Sequence, residues 1–292
     1  MDAKSRFFLQ LQNVLGRVAI FLIAPLCFFI VRILFYRIRN LREIRRQCAE
    51  EFAGHKGPWI ICANHLTMID SFLLIYASFS FVRHITHYKR LPWNLPEKTN
   101  FQSTIFLAVF CYLSRCIPVH RGGSREKMKQ VLDACIYLLH NGQSIMIFPE
   151  GGRSRTGRVD KENFSYSVGR FIQNVENSKV MCFYLRGDRQ RSYSLTPAWG
   201  DKFYVQMDVF KPAPAVSEGL RAQREYAAQI INRLAQMEDN YFAAYGGDIV
   251  DLKYSENMKK SMNSRFLKKI LTDKEIEIVN LARGKIRGRI KT

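Results

Sequence analysis

The sequence predicts an α/β domain with a central, mostly parallel sheet flanked by helices, preceded by a hydrophobic helical membrane anchor. Three observations carry that expectation. Short apolar runs of strand length alternate with helix-like periodicity from Gly57 onward. Polar and glycine-rich clusters interrupt these runs where strands should end, which is where α/β sheets carry their functional loops. Ahead of them stands an unbroken apolar run of fourteen residues, Val18 to Val31.

The apolar run resumes after Arg32 with Ile33-Leu34-Phe35-Tyr36. A helix over 18–36 would measure about 28 Å, just short of a ~30 Å hydrocarbon core. Pro25 interrupts its middle, and no small-x-small cleavage site follows it. The expectation is an uncleaved anchor, either a bent transmembrane helix or two short helices lying in one leaflet. Arg32, Arg37, Arg39, Arg42, Arg45 and Arg46 then form a basic collar. Such a collar marks the cytoplasmic face of a membrane, the inner membrane in a bacterium. A buried core helix is the competing reading, but core helices rarely combine Phe and Ile on every side with dense arginine.

Charge supports this division. Lys and Arg number 45 against 25 Asp and Glu, a net of +20 in 292 residues. Residues 1–46 hold nine basic and two acidic side chains, and residues 253–292 hold twelve and four. The excess belongs to the ends, which suits an anionic lipid surface better than nucleic acid. The expected organisation is an anchor with its collar over 1–46, an α/β domain over 47–252 and a basic segment over 253–292. Seven cysteines without CxxC spacing argue for reduced, packed thiols and against a zinc site.

In chain order, Trp59-Ile60-Ile61-Cys62-Ala63 reads as a strand, followed by polar Asn64-His65 and a helix from Asp70 to about Val82. Ile117-Pro118-Val119 is a short extended piece ending at His120-Arg121. Residues 125–140 carry Met128, Val131, Leu132, Cys135, Ile136 and Leu139 at helical spacing, with Asn141-Gly142 as the stop. Ser144 to Phe148 is a buried strand running into Pro149-Glu150-Gly151-Gly152, and Val180 to Leu185 is another. Phe203, Val205, Met207 and Val209 alternate as a half-buried strand. Ser217 can then cap a helix with Ala227, Ile230, Ile231, Leu234, Met237 and Tyr241 on one face.

Two clusters can carry chemistry. In Asn64-His65-Leu66-Thr67-Met68-Ile69-Asp70, a five-residue step of about 140° keeps His65 and Asp70 off one helix face. A turn after the strand would let the carboxylate swing back onto the imidazole, fix its tautomer and leave the other nitrogen to take a proton. No GxSxG serine accompanies the pair, so the base would act on a substrate hydroxyl. A structural histidine at a strand end is the bland alternative. The second cluster runs from Phe148 to Arg158: Gly151 and Gly152 can open the backbone to a ligand, and Arg153, Arg155 and Arg158 can fork onto phosphate. Arg121 could converge on the same phosphate. His84 and His87 lie in a basic loop and are expected to be surface or interfacial residues rather than metal ligands.

Together NHxTxxD at 64–70, Val119-His120-Arg121 and FPEGGRS at 148–154 resemble the glycerolipid acyltransferase superfamily, from about Trp59 to Leu185 and weakly on to Pro214. Its best-known members acylate 1-acylglycerol-3-phosphate (lysophosphatidic acid) or glycerol-3-phosphate. The resemblance implies His65 as general base and Asp70 as its orienting partner. Arg121 and Arg153 match positions that bind the acceptor phosphate, with Glu150, Gly151 and Ser154 shaping that site. It implies a thioester of coenzyme A or acyl carrier protein as acyl donor, and no metal, cofactor or covalent acyl-enzyme. The run from Glu150 to Gly157 looks closer to the glycerol-3-phosphate branch, while the short chain and Asn64-His65 look like the lysophosphatidic acid branch. The expected product of the latter is phosphatidic acid, on the way to phospholipid. A non-catalytic protein holding anionic membrane through its basic ends is the alternative from a different class.

Overall fold

The computed structural model describes residues 1–101, 104–120, 122–190 and 194–245. The chain divides into two units, 1–249 and 250–292, and every described residue lies in the first. The basic segment expected over 253–292 therefore lies outside the described residues.

The N-terminal apolar run folds as one helix, not two. α1 (Ala3–Ile33) starts at Asp2, whose carboxylate accepts from Ser5 N at 2.9 Å, and keeps Pro25 inside it on an exposed side. At ~1.5 Å per residue it is about 46 Å long, and it is long and apolar enough to cross a membrane. Its buried residues are few: Gln12, Gly16, Ile20, Ala24 and Val31. Spaced mostly four apart, they form one narrow stripe that rests on the rest of the unit.

α1 ends in a Schellman turn, with Tyr36 N on Val31 O and Phe35 N on Arg32 O, both at 3.1 Å. The left-handed residue of that turn is Phe35, at φ 55°. Glycine is the usual occupant, and a side chain there costs about 1–2 kcal/mol.

Beyond it come β1 (Arg37–Ile38), α2 (Leu41–Gly54), β2 (Trp59–Ala63), α3 (Asp70–Ser78), α4 (Phe81–Thr86), β3 (Trp93–Asn94), α5 (Lys98–Phe101) and α6 (Ile105–Leu113). α7 (Arg125–His140), β4 (Ile145–Ile147), α8 (Ser167–Asn174), β5 (Lys179–Gly187), β6 (Lys202–Phe210) and α9 (Gly219–Tyr245) complete the described chain. The six strands form one sheet in the order β1-β6-β5-β2-β4-β3, parallel except for the β5/β6 pair.

The sheet is covered on both faces, which is why its central strands read as continuous apolar runs. Ile60, Cys62, Val180 and Cys182 face a core shared with α7, α8 and α9. Trp59, Ile61, Ala63, Met181 and Phe183 alternate with them and face a core shared with α1, α2 and α3. All seven cysteines are free thiols, five of them buried.

Three expectations change. The helix expected over residues 70–82 is two: Phe79 is extended, and Ser80 starts α4 by accepting from Arg83 N. The basic collar is largely a helix, since α2 buries Ile44, Cys48 and Phe52 and carries Arg42, Arg45 and Arg46 around them, so residue 46 lies inside α2. α9 starts at Gly219, while Glu225 reaches back to accept from Val216 N at 2.8 Å.

Candidate active site

β2 and β4 are parallel neighbours whose ends are level, with Cys62 opposite Ile147. The loops leaving them, 64–69 and 148–160, therefore emerge side by side at the carboxyl edge of the sheet. Asn64 fixes the first, its amide clasping Leu185 of β5 through both N (2.8 Å) and O (3.1 Å). Two hydrogen bonds then join the loops directly: His65 N donates to Glu150 Oε1 at 2.9 Å and Ser154 N to His65 O at 2.7 Å. Residues 85 apart in the chain are thus brought together.

Asp70 opens α3 and is buried. Its carboxylate turns back and receives four donors: Leu66 N at 2.6 Å, Thr67 N at 2.8 Å, Thr67 Oγ1 at 2.5 Å and His65 Nδ1 at 3.0 Å. A carboxylate only accepts, so the proton of the neutral imidazole belongs on Nδ1 and Nε2 is the basic nitrogen. Phe148 stacks on the ring with centroids 4.0 Å apart and planes at 18°, holding its orientation. The His65 side chain is 14% exposed, sheltered but open to a substrate.

Glu150 is a clamp between loops: besides His65 N it accepts from Asp160 N at 3.4 Å. Burial pushes its carboxyl up to about 8, with the Glu238 and Asp160 carboxylates adding to the rise. Gly151 takes φ 66° and closes a turn from its N–H to Phe148 O. Ser154 is buried and donates to Arg158 O at 2.6 Å, so it shapes the loop from within. Arg153 and Arg155 sit half-buried in that loop. Arg158 leans over the Phe242 ring of α9 at 3.8 Å. Arg121 lies outside the described residues.

Sequence reasoning missed Arg186 and Glu238. Arg186 is buried at the end of β5 and donates to Gly157 O and, at 2.7 Å, to Gln190 O. Glu238, on the buried side of α9, accepts from Val159 N at 3.1 Å and from Tyr184 Oη at 3.2 Å. Each was signalled by a charged residue on an otherwise apolar strand or stripe. His84 is not in a basic loop as expected: it lies on α4, buried against the Phe28 and Phe79 rings, and that burial lowers its pKa. Among the described residues no group of His, Cys, Asp and Glu could hold a metal.

A family model described as Acyltransferase matches residues 33–210, more than half of the chain. The chain belongs to the acyltransferase family. The match begins at the end of α1 and stops with β6, so it contains both loops of the candidate site. No curated protein matches this acyltransferase. Glu238 and Phe242, which hold the second loop from α9, lie beyond the matched region.

Proposed function

We propose that this acyltransferase moves a fatty acyl group from an acyl thioester, of coenzyme A or acyl carrier protein, to the free hydroxyl of 1-acylglycerol-3-phosphate. The observation that carries the reading is the His65 Nδ1–Asp70 pair beside an arginine-bearing loop bound to it at both His65 N and His65 O. Nε2 of His65 takes the hydroxyl proton as the oxygen attacks the thioester carbonyl. The tetrahedral oxyanion collapses, the C–S bond breaks, and the imidazolium returns its proton to the thiolate. Of the two glycines able to stabilise the oxyanion, Gly151 N–H is committed to Phe148 O, which favours Gly152. Arg153, with Arg121, takes the acceptor phosphate.

The same reading sets α1 into one leaflet of the cytoplasmic membrane face. Along its length it contacts α3, α4 and α6, which argues for a helix lying against the domain rather than standing away from it. Its exposed Phe21, Leu22 and Phe29 continue onto Phe81 and Val82 of α4 and Ile105, Phe106 and Val109 of α6, an apolar surface suited to lipid. Glycerol-3-phosphate is the second candidate acceptor, favoured by the Gly151-Gly152-Arg153-Ser154-Arg155-Thr156-Gly157 sequence.

Thiol release from acyl-CoA by purified protein tests the proposal, with lysophosphatidic acid, glycerol-3-phosphate and neutral lysolipids offered in parallel. Acyl carrier protein thioester serves as the second donor. Release should require a phosphate-bearing acceptor and vanish in His65→Ala. Folded, membrane-competent protein that releases no thiol with either donor would favour a non-catalytic lipid-binding role.

A further inference from the structure

Where α1 meets β1, two aromatic rings stand in solvent together. Phe35 and Trp199 are 58% and 59% exposed, with centroids 5.9 Å apart. Phe35 occupies the left-handed position of the Schellman turn, where glycine would be easier, so the turn displays a phenyl ring against the preference of its backbone. The loop carrying Trp199 is tied down around it. Gly200 N donates to Leu34 O at 3.0 Å, Tyr36 Oη to Pro197 O at 3.3 Å, and Arg189 Nη2 to Trp199 O.

The same loop touches the catalytic motif, since Met68 N donates to Leu195 O at 3.0 Å. In the chain the pair follows the exposed apolar residues Leu26, Phe29 and Ile33 at the end of α1. Arg32 and Arg37, both exposed, flank Phe35 in the chain, and exposed Arg39 pairs with Asp188. Exposed apolar, aromatic and arginine side chains gathered at one place suit the boundary of an anionic bilayer, where hydrocarbon, interface and headgroup charge meet.

We infer that Phe35 and Trp199 form an interfacial lipid anchor that seats the rim of the His65 site at the headgroup level of an anionic bilayer. The inference rests on the membrane reading above and adds to it a fixed contact point beside the chemistry. An acceptor with its headgroup in that layer then meets the site without leaving the membrane.

The protein carries its own probe. Of its three tryptophans, Trp59 and Trp93 are 1% and 0% exposed, so a solvent- or lipid-dependent change in emission reports Trp199. The full chain is mixed with vesicles of phosphatidylcholine and phosphatidylglycerol whose acyl chains are brominated either near the headgroup or near the chain end. Expected are a blue shift and a loss of emission that is larger with the shallow bromines and absent in Trp199→Phe. Protein that sediments with the vesicles while its emission stays unchanged would overturn the anchor and leave the membrane reading standing. Protein that does not sediment overturns both. Lipid-free self-association that shifts Trp199 emission would assign the pair to a second copy of the chain instead.

A kinetic arm separates anchoring from structure. Phe35→Gly relieves the turn, and Trp199→Ser alters a solvent-facing ring. The double variant should lose activity several-fold on acceptor presented in vesicles and keep wild-type thiol release with a short-chain acceptor dissolved as monomer. Equal losses on both acceptors would mean a merely structural pair and sink the proposal.

Discussion

Four donors converge on the one buried carboxylate of Asp70, and only one of them is His65. The other three, Leu66 N, Thr67 N and Thr67 Oγ1, wind the loop around Asp70 so that the imidazole arrives in one orientation. Asp70→Asn replaces an acceptor-only group by one with an NH2 facing other donors. It should lower kcat by about 10²–10⁴-fold, as in other histidine–carboxylate pairs, while the acceptor KM stays within a few-fold; steady-state thiol release with circular dichroism as a folding control checks this. Glu150 carries a pH dependence of stated sign. Burial pushes its carboxyl up to about 8 in the folded chain, from an ordinary 4.5. Below the lower value both states hold the proton. Between the two the unfolded chain gives it up first, so this contribution to stability is lost as pH rises through the window. Glu150→Gln keeps an acceptor for His65 N and removes the titration. Its melting temperature relative to wild type should rise steadily from about pH 5 to about pH 8. Parallel curves for the two proteins across that range would refute the assignment.

Elements explain why residue-level patterns were readable in some places and not in others. The helix over 125–140 was legible because burial on one face imposes a period, and the strands at 59–63 and 180–185 because burial on both faces makes them continuous apolar runs. α2 was obscured by its arginines: the buried set Ile44, Cys48 and Phe52 is only three residues, and the polar faces around it look like a collar. The break between α3 and α4 was hidden because apolar residues continue across it, and only the Ser80 cap marks it. α1 was legible as apolar, but its docking depends on one close approach. A Cβ at Gly16 would lie 2.3 Å from Tyr88 Oη and 2.8 Å from Leu113 O, the latter a backbone atom. Next to it Gln12 donates to Tyr112 O at 2.9 Å and to Cys116 O at 3.0 Å, bonds that hold the helix to the end of α6. Gly16→Ala should therefore destabilise the protein by about 1–3 kcal/mol through overpacking, although alanine is the better helix former. Thermal unfolding checks it, and an unchanged or raised midpoint would mean that α1 does not pack there.

For the whole molecule, the balance of apolar face and basic charge decides how it holds a membrane. The exposed apolar side chains of α1, α4 and α6 are numerous, and hydrophobic burial is not screened by ions. Arginine–headgroup attraction is screened, over about 3 Å at ~1 M salt. Membranes washed at that ionic strength should retain the protein, with release only by detergent; sedimentation and blotting measure it. Recovery in the salt supernatant would mean that charge alone holds it. The sequence by itself determined the strand–helix alternation, the apolar N-terminus, and two polar clusters whose residue types suit proton transfer and anion binding. Those are local properties, written in period and composition. Tertiary structure alone decided that the clusters meet: two level, parallel strands, β2 and β4, put residues 85 apart within one hydrogen bond of each other. It also buried Glu150 between the two loops, where it accepts from His65 N and Asp160 N. It brought in Arg186 and Glu238, and it laid α1 along the domain. No single-chain pattern encodes these outcomes, because each depends on which distant backbone supplies the donor, the acceptor or the packing surface.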